Sequence, residues 1–233
     1  TKPSPLAIRS SFAAAAAQSK KISAGDLTSL VDIDAMSVSP DGQSIVFQTR
    51  QANAGRNDYE QSWYAIPARG GRPRQIADGG EAMAFMHAAD VLIGNGYVTT
   101  PSPLWSPDSK SIYYLRRQNG RTQIWRTSVA GGGSAQLTHN AGDVHHLSIE
   151  EGALLTLSED SRRLFFHTPL SQAQLEAALE TEGRKGFLLD DRFSPMDSTA
   201  PLAPLGAPVR PELWVYDLAT RGEHRASTAE TTK

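Results

Sequence analysis

Short apolar runs, broken by turns rich in Pro, Gly, Ser and Asp, follow one another along this chain in a recurring order. Ser39-Pro40-Asp41-Gly42 precedes Ile45-Val46-Phe47, Ser106-Pro107-Asp108-Ser109 precedes Ile112-Tyr113-Tyr114, and Ser158-Glu159-Asp160-Ser161 precedes Leu164-Phe165-Phe166. Pro presets a turn φ, Asp or Ser caps through its own side chain, and Gly accepts φ > 0, so each phrase joins two antiparallel strands. An aromatic strand comes next in each repeat: Ser62-Trp63-Tyr64-Ala65-Ile66, Gln123-Ile124-Trp125-Arg126-Thr127 and Leu213-Trp214-Val215-Tyr216-Asp217. Turns at Arg69-Gly70-Gly71-Arg72, Ala130-Gly131-Gly132-Gly133 and Thr220-Arg221-Gly222-Glu223 then lead to fourth strands starting at Pro73, Ser134 and His224. Gln118-Asn119-Gly120-Arg121 adds an Asn-Gly hairpin signal inside the middle repeat. Four antiparallel strands per repeat make a propeller blade. The fold class is therefore all-β, a partial β-propeller of about three four-stranded antiparallel blades. Trp63, Trp125 and Trp214 read as the same position in each blade, which predicts packing between neighbouring sheets, and Trp105 is expected to pack in the second blade's first strand.

The pattern divides the chain into an N-terminal arm, 1–21, and an incomplete propeller, 22–233. Blade one is expected at 34–78, a loop insertion at 79–101, blade two at 102–138, and blade three at 147–228 with an insertion at 168–212. Gly79-Gly80, Gly94-Asn95-Gly96 and Thr100-Pro101 punctuate the first insertion, with one short strand expected at Val91 to Ile93. In the second, Ser171 to Thr181 predicts a helix: Ser171 caps it, Leu175 and Leu179 fall on one face, and Gly183 closes it. The Pro-rich stretch that follows, through Pro195, Pro201, Pro204, Pro208 and Pro211, predicts extended backbone. Insertions on a rigid scaffold are where recognition residues concentrate.

Composition suits a folded β-rich domain, with 39% hydrophobic and 21% charged residues and a formal net charge of −2. The scattered basic residues form no stripe for nucleic acid, and Arg69, Arg72 and Arg74 read as a solvated turn. The absence of Cys excludes disulfides, thiolate metal sites and a thiol nucleophile. No apolar run reaches the ~20 residues of a membrane span, so no membrane insertion is expected. Phe12 through Gln18 resembles the end of a secretory signal, but Arg9 and Ser10-Ser11 interrupt any apolar core; the cytoplasm is favoured, with the periplasm as the alternative.

Candidate chemistry is sparse. His145 and His146, near His139 and Asp143, point to opposite faces of a strand and do not suit one ion, so neither a metal nor another cofactor is expected. Glu150-Glu151 and Asp190-Asp191 diverge for the same reason. Gly94-x-Gly96 lacks the third Gly of a dinucleotide fingerprint, since position 99 is Thr. Gly132-Gly133-Ser134-Ala135-Gln136 lacks the last Gly of a Gly-x-Ser-x-Gly nucleophile elbow and lies in a blade turn, so no catalytic residue is assigned. The polar loop between strands two and three of blade one supplies the candidate substrate-binding residues Arg56, Asn57 and Tyr59, with capping of that loop as their competing role.

About three blades cannot close a ring, since propellers need about four to eight. The chain therefore reads as the leading part of a longer polypeptide, or as one whose remaining blades come from a second chain. The run Asp26-Leu27 to Leu30, with Ile33-Asp34-Ala35-Met36-Ser37-Val38 leading into Ser39-Pro40-Asp41-Gly42, resembles the opening of the N-terminal propeller in prolyl oligopeptidase-type serine peptidases. Within that group, Phe47-Gln48-Thr49-Arg50-Gln51-Ala52, Arg56-Asn57-Asp58-Tyr59 and Trp63-Tyr64 resemble the lasso peptide isopeptidases. The resemblance implies a peptide substrate, specifically a lasso peptide with an isopeptide bond. It also implies a C-terminal α/β-hydrolase domain, in the same polypeptide or as a second chain, that brings the Ser, His and Asp of the reaction. The propeller segment would then be non-catalytic and would gate and orient the peptide. A second reading is a binding module similar to Tol-Pal-type propellers, which share the Ser-Pro-Asp-Gly phrase and need no hydrolase; a nucleophile elbow beyond Lys233 separates the two.

Overall fold

The computed structural model of the protein describes residues 21–82, 102–142, 144, 155–168, 177, 180–181, 184–185, 212–227 and 230. Strands dominate them. A short helix, α1 (Ala24–Thr28), opens with a capping box in which the Ser23 hydroxyl accepts from the Asp26 N–H and the Asp26 carboxylate accepts from the Ser23 N–H. Three antiparallel meanders follow: β1 (Val31–Val38), β2 (Ser44–Asn53), β3 (Asp58–Pro67) and β4 (Arg74–Gly80); β5 (Leu104–Trp105), β6 (Ser111–Gln118), β7 (Arg121–Ser128) and β8 (Ser134–Gln136); β9 (Leu155–Leu157), β10 (Arg163–Thr168), β11 (Glu212–Asp217) and β12 (Gly222–Arg225). The strand ladders of the first two meet at a parallel bridge between Gly80 and Arg117, next to an antiparallel bridge between Glu81 and Arg117.

The recurring phrase builds the same hydrogen-bonded knot three times. The hydroxyls of Ser39, Ser106 and Ser158 each donate to the Asp two residues on at 2.6 Å. Each hydroxyl also accepts the N–H five residues on, from Ser44, Ser111 and Arg163 at 2.9 to 3.0 Å. The fourth turn residue takes positive φ in all three, Gly42 at 68°, Ser109 at 59° and Ser161 at 57°. Side chains thus satisfy backbone groups that the strand ladder leaves open, and the first two strands of each unit are locked in register.

Packing between units follows from alternation along the strands. Residues Ser111 to Leu115 of β6 are all buried, because this unit lies between the other two. Ile112 and Tyr114 pack with Val46, Trp63, Ala65 and Ile76 of the first unit, whereas Tyr113 and Leu115 pack with Leu155, Leu164 and Phe166 of the third. Trp63 is fully buried, its ring tilted against Tyr114 at 5.7 Å between centroids.

One expectation about these aromatics is corrected by the register. Tyr64 pairs with Phe47, Trp125 with Tyr114 and Trp214 with Phe166, and those partners hold one position in the three repeats; Trp63 pairs with Gln48. Tyr64 is therefore the counterpart of Trp125 and Trp214. Trp63 is offset by one residue and faces the other side of its sheet, the second unit, because strand side chains alternate with a period of two. Trp105 lies in β5 and its indole N–H donates to the Ser37 hydroxyl at 3.0 Å, tying the first strands of two units together.

β1 begins at Val31 and bulges at Asp34, and β4 runs to Gly80, so Gly79-Gly80 belong to a strand edge and to the junction between units, not to a loop. In the second insertion Ala177, Glu180 and Thr181 are helical, with the Thr181 hydroxyl donating to the Ala177 carbonyl at 2.7 Å. Arg184 and Lys185 are helical as well, past Gly183, and Arg184 pairs with Glu180. The arm up to residue 20, the strand expected at Val91 to Ile93, the opening of the third repeat at 147–154 and the Pro-rich stretch lie outside the described residues.

Candidate functional site

Connections in an up-and-down meander alternate between two ends, which gives these units two unlike ends. One end carries the Ser-x-Asp knots and the turns after β3, β7 and β11, all short. It is stitched across units by the Asp41 N–H donating to the Ser109 hydroxyl at 3.2 Å and by the Arg74 guanidinium donating to the Val129 carbonyl at 2.6 Å. The opposite end carries the β2–β3 hairpin, the β6–β7 hairpin, and the points where the chain departs after β4, β8 and β10 for its longest connections. Rigid strands thus deliver every long connection to one end.

Arg56, Asn57 and Tyr59 sit together at that end. Arg56 and Asn57 form the β2–β3 turn, with Asn57 at φ 51°, while Tyr59 lies in β3 opposite Ala52 and not in the loop. The Asn53 side chain organises the turn: its Oδ1 accepts the Arg56 N–H at 3.1 Å and its Nδ2 donates to Glu60 at 2.7 Å. Arg56 pairs with the same Glu60 carboxylate at 3.1 Å, with both side chains mostly exposed. Tyr59 is 42% exposed, and the Arg50 guanidinium lies 5.3 Å from its ring centre. Arg50 in turn reaches Asp32 and Asp34, each at 3.4 Å, and burial pushes the Asp34 carboxyl above its ordinary pKa against the pull of Arg50. The arrangement holds a cation, the Asn57 amide and a phenol on a braced exposed hairpin, groups able to form hydrogen bonds, while the Asn53 amide is spent on the turn itself.

Three features beside it escaped sequence reasoning. Gln48 and Gln61 are buried between the first two units, and neither side-chain amide has a hydrogen-bond partner among the described residues. They converge on Gly79, where a Cβ would come within 2.8 Å of the Gln48 amide nitrogen and 2.7 Å of the Gln61 Cβ. Glu81, immediately after the Gly pair, reaches across to the second unit: its carboxylate accepts the N–H groups of Asn119 at 2.6 Å and Gly120 at 3.0 Å. Its own N–H donates to the Arg117 carbonyl at 2.9 Å, and Arg117 faces its carboxylate at 3.6 Å. Asp78 completes the seam by pairing at 2.7 Å with Arg116, which lies over Trp125 at 4.4 Å. Only the acids spaced around Gly79-Gly80 signal this clamp in the sequence.

The near-match to a nucleophile elbow is a strand-to-strand turn. Gly131, Gly132 and Gly133 all take positive φ, and the Ser134 hydroxyl accepts from Tyr114 Oη at 3.0 Å. Among the described residues no cluster of His, Asp and Glu could hold a metal ion, and no helix is long and apolar enough to cross a membrane. His139 uses its backbone N–H to bind Glu223 at 3.2 Å. Asp143, His145, His146, Glu150, Glu151, Asp190, Asp191, Gly94 and Gly96 lie outside the described residues.

No family model matches the chain. It is homologous to the lasso peptide isopeptidase AtxE2 of Asticcacaulis excentricus, with 31% identity over an alignment of 228 residues that covers 92% of this chain and 31% of that protein. A solved structure of an AtxE2 variant with Astexin3-dC4 bound superposes on 88% of this chain and 32% of its own, at 27% identity and a TM-score of 0.63. The acylaminoacyl peptidase of Pyrococcus horikoshii shares the fold at 17% identity and a TM-score of 0.50, over 87% of this chain and 26% of that one. The chain thus spans about a third of the length of the curated relative it matches.

Proposed function

We propose, from this chain's homology to a lasso peptide isopeptidase and its likeness to the propellers of prolyl oligopeptidase-type enzymes, that it is the non-catalytic propeller segment of a serine hydrolase acting on lasso peptides or related oligopeptides. The observation that carries the reading is the match along 92% of the chain to an isopeptidase about three times as long. In this reading a hydrolase domain, in the same polypeptide or as a second chain, supplies the serine nucleophile, and the propeller screens and orients the peptide. A threaded peptide must enter folded. Selection by shape then falls to a surface of connections borne on rigid strands, as at the end bearing the β2–β3 and β6–β7 hairpins.

Arg56, Asn57 and Tyr59 take the substrate-contacting role at that end. Such contacts, remote from the scissile bond, act on binding and orientation. The test uses the full-length protein, a purified lasso peptide and mass spectrometry that detects the addition of one water to the opened ring. Opening of the ring is the expected result, and a protein that leaves the ring intact while reacting with no serine-directed fluorophosphonate sinks the assignment. The Arg56→Ala/Tyr59→Ala variant should raise KM about fivefold to tenfold with kcat nearly unchanged; unchanged kinetics would remove these residues from recognition and leave the hydrolase reading standing.

A further inference from the structure

A pocket of about 360 Å³ opens beside the β6–β7 hairpin, lined by Gln118, Asn119, Arg121, Gln123, Trp125 and Gln136. Its polar groups are unequally occupied. The Gln123 amide is committed to Asn140 and Gly142 through three hydrogen bonds, and so forms a fixed wall. Gln136 uses its Nε2 on the Thr138 carbonyl at 2.7 Å and keeps its amide oxygen open among the described residues. The side-chain amides of Gln118 and Asn119 are exposed and make no hydrogen bond among those residues. Arg121 donates to the Ala141 carbonyl at 3.2 Å, and its charge faces no carboxylate among the described residues. Trp125, with Arg116 over its ring, supplies the apolar surface. The hairpin rim is held by the Glu81 clamp on the Asn119 and Gly120 N–H groups, so the pocket is shaped by the seam between two units.

We propose that this pocket is a second peptide-binding subsite, in which Arg121 receives a carboxylate and the amides of Gln118, Asn119 and Gln136 pair with the adjoining peptide backbone. A guanidinium that faces no carboxylate among the described residues, the open amides of Gln118 and Asn119, the open amide oxygen of Gln136 and an indole complement a short anionic peptide segment: the cation suits a carboxylate, the amides offer both donors and acceptors, and the ring covers a side chain. Glu81 is a positioning residue that acts through the hairpin. The subsite rests on the peptidase reading above and extends it, by placing the selected charge about one unit away from the Arg56 hairpin at the same end.

The test measures binding of a synthetic twelve-residue peptide to the full-length protein by calorimetry, in three forms: with a free C-terminal carboxylate, as the C-terminal amide, and as the amide with one internal Glu. Arg121→Met should weaken the free-acid form at least about tenfold and leave the plain amide unchanged. Arg121→Lys should restore part of the loss. Selective weakening of the internal-Glu amide as well would make a side-chain carboxylate an accepted source, and its absence would confine the subsite to chain termini. Equal loss for acid and amide forms, or no detectable binding of any form to the unaltered protein, overturns the proposal. Ring-opening activity of the unaltered protein, measured alongside, would show that such a failure concerns the subsite and not the hydrolase reading. Glu81→Gln, with its fold checked by circular dichroism, should weaken all three forms alike, as loss of a shaped rim predicts.

Discussion

Asp41, Asp108 and Asp160 occupy the three Ser-x-Asp knots, and each carboxyl sits below its ordinary value of 3.8, foremost because a Ser hydroxyl donates to it and then because a backbone N–H does. A carboxylate whose pKa is lower folded than unfolded stabilises the fold above its unfolded pKa, and that contribution is lost as pH falls through the folded value. The midpoint of thermal unfolding should therefore fall below about pH 4, and Asp108→Asn should flatten this part of the profile. An unchanged slope in the variant would show that the knots do not set acid stability. Gly80 makes a sharper case: its φ is 85°, and a Cβ there would stand 2.3 Å from the Arg117 carbonyl oxygen. Gly80→Ala should cost more than about 2 kcal/mol, read from chemical denaturation, because both backbone strain and a backbone clash oppose it.

At the scale of the sheets, the seam between the first and second units depends on Trp63, buried among Val46, Ala65, Ile76, Ile112 and Tyr114. Trp63→Ala should destabilise by about 3–5 kcal/mol, whereas Trp125→Ala, at a half-buried position, should cost less; equal losses measured by denaturation would contradict the register offset. The strands themselves were legible because Pro, Asp and Gly punctuate them and aromatic residues fill them. The offset of Trp63 was not, since a period of two makes adjacent aromatics in Trp63-Tyr64 indistinguishable until pairing fixes which faces inward. Nor was the role of Gly79-Gly80, because a Gly pair announces a turn and a close backbone approach with the same letters. At the candidate site, Arg56 and Asn57 were placed correctly in a turn, but Glu81 and Arg121 owe their positions to contacts between distant parts of the chain.

At the scale of the whole molecule, one face is left uncovered by the described residues. Val31, Ile33, Met36 and Val38 of the edge strand β1 are 54–66% exposed, and Phe47 and Tyr64 stack on the same side at 5.6 Å. Their counterparts Tyr114 with Trp125 and Phe166 with Trp214 are packed toward the preceding unit. Expressed by itself, this stretch should pair through that face with a second copy, seen as concentration-dependent mass in light scattering, and Ile33→Lys/Met36→Lys should return it to the monomer. Association that persists in the double variant would place the contact elsewhere. The division of labour between the two ends has a consequence for descent. Because the Ser-x-Asp knots hold strand register at their own end, changes in the far connections beyond Glu81 leave those knots untouched. A lineage carrying this scaffold can vary those connections at one rim while selection for stability acts on the knots and on the Gly80 seam.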